Sequence, residues 1–139
     1  MAVSFQPIFV QAPKAGVAAF VNADGTAKKT VVTAGANGTK VTAVTAASTD
    51  TSARVVALWL TRSATSYLVT SAQVAVASGS DGTTPTTDLL GSTLWPGMSV
   101  DGSGQRYLLL QSGDTLQASM VVAVTAVKEV DVTAVYGDY

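Results

Sequence analysis

Glu129-Val130-Asp131-Val132-Thr133-Ala134 alternates polar and apolar residues one by one, and a period of two is the signature of a β-strand with one wet and one buried face. Val130, Val132 and Ala134 point to a core, while Glu129, Asp131 and Thr133 point to water. The strand reads over residues 129–136. Immediately upstream, residues 106–110 and 115–123 give two further strands, divided by Ser112-Gly113-Asp114 and by residues 126–128.

The same grammar extends to the rest of the chain. Arg54-Val55-Val56-Ala57-Leu58-Trp59-Leu60-Thr61-Arg62 is apolar at every position between its two arginines except Thr61, which predicts a central strand covered on both faces with Trp59 in the core. Residues 17–21, 28–33 and 39–46 read as strands separated by Asn22-Ala23-Asp24-Gly25 and Gly35-Ala36-Asn37-Gly38, where Asn, Asp and Gly tolerate the positive φ of tight turns. Residues 67–76 alternate, with Leu68, Ala72, Val74 and Val76 on one face and Tyr67, Ser71 and Gln73 on the other. A helix competes there, but no capping box precedes the stretch and its Val and Thr content favours a strand. Residues 78–93 are rich in Gly, Ser, Thr and Pro and read as a long loop, a usual place for contacts with partners.

The 139 residues are 47% hydrophobic and only 12% charged, dominated by Val, Ala, Thr, Gly and Ser. β-branched side chains suit a pleated surface, and residues that build helices are scarce. About eight short strands of this kind predict an all-β fold, an antiparallel β-sandwich or jelly roll, as one domain over residues 15–139. An extended N-terminal arm over residues 1–14 precedes it. Phe5, Ile8, Phe9 and Val10 make the arm apolar, while Pro7 and Pro13 disfavour a regular central strand. Exchange of the arm with a neighbouring subunit would bury these side chains, and so would packing along the edge of its own domain. With Trp95, in the turn-like Leu94-Trp95-Pro96-Gly97, they form the candidate interface, although a lid role over the sandwich competes for Trp95.

Catalytic vocabulary is thin. With no His and no Cys there is no imidazole base, no thiolate and no zinc site of the usual kind, so no catalytic, cofactor-binding or metal-binding residue is expected. Glu129 and Asp131 read as a solvated strand face. The Asp-Gly steps at Asp24, Asp81 and Asp101 lack the acidic spacing of an EF-hand and read as turns, as does Gly102-Ser103-Gly104. A net charge of -1, with no basic cluster beyond Lys28-Lys29, argues against nucleic acid as a partner. No apolar run reaches the ~20 residues of a membrane-spanning helix, and Met1 to Pro7 lacks the features of a signal peptide, so no membrane partner and synthesis in the cytoplasm are expected.

The run Gly104-Gln105-Arg106-Tyr107-Leu108-Leu109-Leu110-Gln111-Ser112-Gly113-Asp114-Thr115-Leu116, with the ending Val132-Thr133-Ala134-Val135-Tyr136-Gly137-Asp138-Tyr139, resembles the small head-associated decoration or cement proteins of tailed bacteriophages. The resemblance implies a β-domain without enzymatic activity, added to the outside of an assembled capsid in the virion. Its partners would be the major capsid protein and other copies of itself, as a homotrimer or, failing that, a dimer. A carbohydrate-binding or structural β-module of a phage tail or cell surface is the alternative, with Trp95, Tyr107 and residues 78–93 as contacts.

Overall fold

Alternation along the chain becomes two pleated layers in the computed structural model, which describes residues 9–91 and 93–139. Ten strands run as β1 (Ala12–Val21), β2 (Lys29–Thr33), β3 (Thr39–Ser48), β4 (Arg54–Arg62), β5 (Thr65–Val74), β6 (Thr87–Asp88), β7 (Ser99–Val100), β8 (Arg106–Leu110), β9 (Thr115–Met120) and β10 (Glu129–Asp138). One sheet has the order β1-β10-β3-β8-β7, with β6 also on β3, and the other has the order β2-β9-β4-β5. Every pairing is antiparallel. The chain is an all-β sandwich.

The core lies between the sheets. Val130, Val132 and Ala134 of β10 are buried as the alternation requires, and they join Phe20, Val41, Val44 and Ala46 from the same sheet. Opposite them pack Val32, Val56, Leu58, Ala72, Val74, Leu116, Ala118 and Met120. Loss of one of these larger side chains leaves a cavity as well as forfeiting its transfer free energy, about 2–5 kcal/mol for a Leu→Ala change.

Two side chains lie elsewhere than the sequence predicts, for separate reasons. Leu58 pairs with Thr70 but Trp59 pairs with Leu68, so Val69 is an extra residue in β5. This bulge switches the side on which the preceding part of β5 presents its residues. Leu68 therefore lies on the solvent face, 58% exposed, rather than with Ala72 and Val74. Trp59 shares that face, half-buried rather than in the core, because β4 has only one covered side, the one bearing Val56 and Leu58. Its indole Nε1 donates to Ser119 Oγ at 2.9 Å, and Lys28 Nζ lies 4.3 Å from the ring centre. Stacking an ammonium on the ring and bonding the N–H make an outward Trp tolerable.

Residues 78–91 are also more structured than a free loop. Within them β6 pairs with β3, Leu89 and Leu90 are buried, and the Leu89 N–H donates to the Val44 carbonyl at 2.8 Å. Ser78, fully buried, donates its hydroxyl to the Pro85 carbonyl at 2.8 Å, while its own carbonyl accepts from Ser48 N–H at 2.7 Å. Through Leu89 and Leu90 the segment adds to the core, while Ser80 to Thr83 are exposed.

Three carboxylates fasten strands to loops or to one another. Asp50, buried between β3 and β4, accepts from Arg54 Nε at 2.8 Å, Ser52 N–H at 2.9 Å, Thr125 N–H at 2.9 Å and Thr125 Oγ1 at 2.7 Å. Burial alone would raise its pKa, but the Thr125 amide, Arg54, the Ser52 amide and the Thr125 hydroxyl outweigh it and hold the carboxyl well below the usual range. Asp114 is held below its ordinary range by Arg62, and Asp138 by Lys14 and by the Thr39 hydroxyl.

Candidate interaction surfaces

The arm is the first candidate. Phe5 and Ile8 lie outside the described residues. Phe9 is 72% exposed, while Val10 lies on Gly137, where a Cβ would collide with its Cγ1. Gln11 N–H donates to the Asp138 carbonyl at 2.9 Å, and from Ala12 onward the chain is paired with β10. The described part of residues 1–14 thus packs along the edge of its own sheet, and its last three residues belong to β1. Gly137 is the residue that lets it come so close.

Trp95 is half-buried against the core and its carbonyl accepts from Arg106 Nη2. It lines an open cleft of ≈ 210 Å³ together with Tyr107, Met98 and Leu108. Tyr107 in turn carries Lys40 Nζ 4.8 Å from its ring centre. The two aromatics named from sequence are therefore brought to one place, although each is already engaged by its own domain.

A larger open cleft of ≈ 540 Å³ sits where β1 begins, lined by Gln11, Asn37, Leu109 and Tyr139. These groups supply amides, one phenol and one apolar wall, which suit hydrogen bonding and contact more than proton transfer.

The carboxylates behave as structural groups. Asp81 accepts from the Thr83 and Thr84 amides at 2.9 and 2.6 Å, and Asp101 from the Ser103 and Gln105 amides at 2.9 and 3.0 Å. Asp24 accepts from the Val21 amide at 2.8 Å and pairs with Lys29 at 2.9 Å. Each is a turn residue whose pKa is pulled down, Asp24 by Lys29 and then the Val21 amide, Asp81 by the Thr84 and Thr83 amides and hydroxyls, and Asp101 by the Gln105 and Ser103 amides with Lys40. Glu129 is the exception: a hydrogen bond with Asp131 and the repulsion between the two raise it. Among the described residues no group of three or more acidic side chains is arranged to hold a metal ion.

The surface that the sequence reading did not single out is the outer face of the larger sheet. Register places Ala15 beside Val135 and Ala43, Val17 beside Thr133 and Thr45, and Ala19 beside Asp131 and Ala47. Val17 is 63% exposed and Val135 50%, with Val21 at the rim. Water-facing strands ordinarily carry longer polar side chains. The signal was the unbroken apolar run from Val17 to Val21, which fills both faces of β1 rather than one.

No protein-family model matches the chain, and no curated protein or solved structure is similar to it.

Proposed function

We propose that this chain is a bacteriophage capsid decoration protein that binds the outside of the assembled head and braces it. The observation that carries the reading is the broad outer face of the larger sheet, mostly Ala, Val and Thr with Asp131 and Glu129 toward one end, centred on the exposed Val17 and Val135. Such a face suits contact with an extended protein surface, because short side chains let another backbone approach closely and its apolar area is removed from water on docking. The run through Arg106 to Leu116 adds its resemblance to head-associated proteins. Many copies on a repeating lattice turn weak single contacts into durable attachment.

The test is to mix the purified protein with phage heads that lack it and to image the particles by cryo-microscopy. Density for the sandwich on the head exterior, and rupture of decorated heads at a higher temperature than bare ones, is the expected outcome. Density only in the tail, or none, overturns the reading.

The meeting of Trp95 and Tyr107 on one cleft favours a second reading, a carbohydrate-binding module. A glycan array screened with the wild type and with Trp95→Ala separates the two: a saccharide signal lost in the variant supports it.

A further inference from the structure

A sandwich of open sheets has four edges, and three of these are guarded. On β1, Pro13 lacks an N–H and Lys14 brings a charge, Lys29 Nζ donates to the Ala19 carbonyl at 2.6 Å, and the Val31 carbonyl lies so close to Gly16 that a Cβ there would collide with it. β2, which leans on β1 through that contact, is five residues long and starts with Lys29. The far edge of the larger sheet is shared by β6 and β7, each two residues long. Short strands, charges, prolines and covering contacts are the usual means by which edges are kept from pairing with other chains.

β5 has few of these protections. It is ten residues long, pairs only with β4 among the described residues, and from Thr65 to Val76 carries no charged residue and no proline. Its second half is partly covered, since Thr70 Oγ1 donates to the Leu94 carbonyl at 3.3 Å. Over Thr65 to Val69, no backbone hydrogen bond reaches the outer edge among the described residues. Tyr67 and Leu68 stand there 55% and 58% exposed. Unpaired amides and carbonyls at strand spacing, with apolar side chains above and below, are complementary to another extended strand.

We propose that the Thr65–Val69 half of β5 is the seam of a homodimer, in which it pairs antiparallel with the same stretch of a second copy. A second copy fits because the stretch is neutral, so like meets like without repulsion. A two-fold axis near Tyr67 sets Tyr67 opposite its mate, an aromatic pair, and Leu68 diagonal to its mate on the face that bears Trp59. The bulge at Val69 ends the ladder. Pairing is thereby confined to one short seam, and an isologous contact of this kind closes at two copies instead of growing into a fibre. So small a seam makes a weak dimer, populated at micromolar concentration and above.

Sedimentation of the full-length protein from about 10 to 500 µM tests this, beside Leu68→Lys, Tyr67→Lys and, as a control on the other sheet, Val17→Lys. The expected result is a mass rising toward twice the monomer for the wild type and for the control. Both β5 variants should associate about tenfold more weakly or not at all, because each sets like charges across the axis, with unchanged circular dichroism. Hydrogen exchange of the 65–69 amides should slow as the wild-type concentration rises. A wild type that stays monomeric, a trimer, or a dimer that survives both β5 substitutions but is lost in Val17→Lys overturns the proposal.

Discussion

Arg62 grips Asp114 through two parallel hydrogen bonds, Nε to Oδ1 at 2.7 Å and Nη2 to Oδ2 at 2.6 Å. The fork joins the end of β4 to the turn before β9, where Asp114 also accepts from the Gln111 amide at 3.0 Å. The two partners are unequal: the aspartate side chain is 2% exposed and that of the arginine 45%. Taking away the arginine strands a buried carboxylate, whereas water can serve a released guanidinium.

Arg62→Ala should therefore lower the melting temperature at pH 7, and the loss should shrink toward pH 3. The folded-state pKa of Asp114 lies below its unfolded value, so its stabilisation is present above the unfolded pKa, near 4, and is lost as pH falls through the folded one. Calorimetry of both proteins at the two pH values checks it; equal losses at both would show that the fork does not act through charge.

Asp50→Ala should be among the most damaging single changes, costing about 3–5 kcal/mol, since Arg54 and the Thr125 amide would lose a buried partner. Urea titration at pH 7 measures it. Asp50→Asn should cost less, because an amide oxygen still accepts part of the network.

The β4–β5 hairpin turns on Ser63 and Ala64, at φ of 51° and 64°, between the paired Arg62 and Thr65. A two-residue turn with both φ positive asks for Asn-Gly, and an alanine there carries a Cβ that crowds its own backbone. Ala64→Gly should raise stability by about 1 kcal/mol, read as a higher urea midpoint with an unchanged slope.

Glu129→Gln should have the opposite pH signature to Arg62→Ala. Asp131 raises the folded-state pKa of Glu129, so folding loses stability as pH rises from the unfolded pKa through the folded one. The variant should match the wild type at pH 3 and melt at or above its temperature at pH 7. A lower melting temperature at pH 7 would show that the glutamate is engaged in an attraction instead.

Much of this fold is written locally. β10 could be read from its alternation because one face is wet and the bulge between Val135 and Tyr136 lies near its end. The turns at Asp24, Asp81 and Asp101 were legible because an aspartate that binds amides within four residues of itself is a local device. Leu68 was not legible, since its face depends on one extra residue in β5, and nothing in Ser66-Tyr67-Leu68-Val69-Thr70 marks which residue slips; Trp59 was not, because a run apolar at both parities does not say which side of β4 is covered. β6 was hidden for a related reason: Thr87 and Asp88 gain strand geometry only from β3, a partner some forty residues away. The exposed face around Val17 was readable as an apolar run, but its direction was set by which side of β1 faces Phe20's neighbours in the core.

The pairing of β1 with β10 runs from Ala12 opposite Asp138 to Val21 opposite Glu129. Tension that enters at Gln11 and leaves at Tyr139 pulls on adjacent ends of two neighbouring antiparallel strands, so it loads the ladder one rung at a time and the strands unzip. Tension between Val21 and Tyr139 would instead slide the strands along each other and strain every rung together. The domain is thus mechanically soft in one direction and stiff in the other, and the end by which it is held decides whether it yields gradually or resists until it breaks.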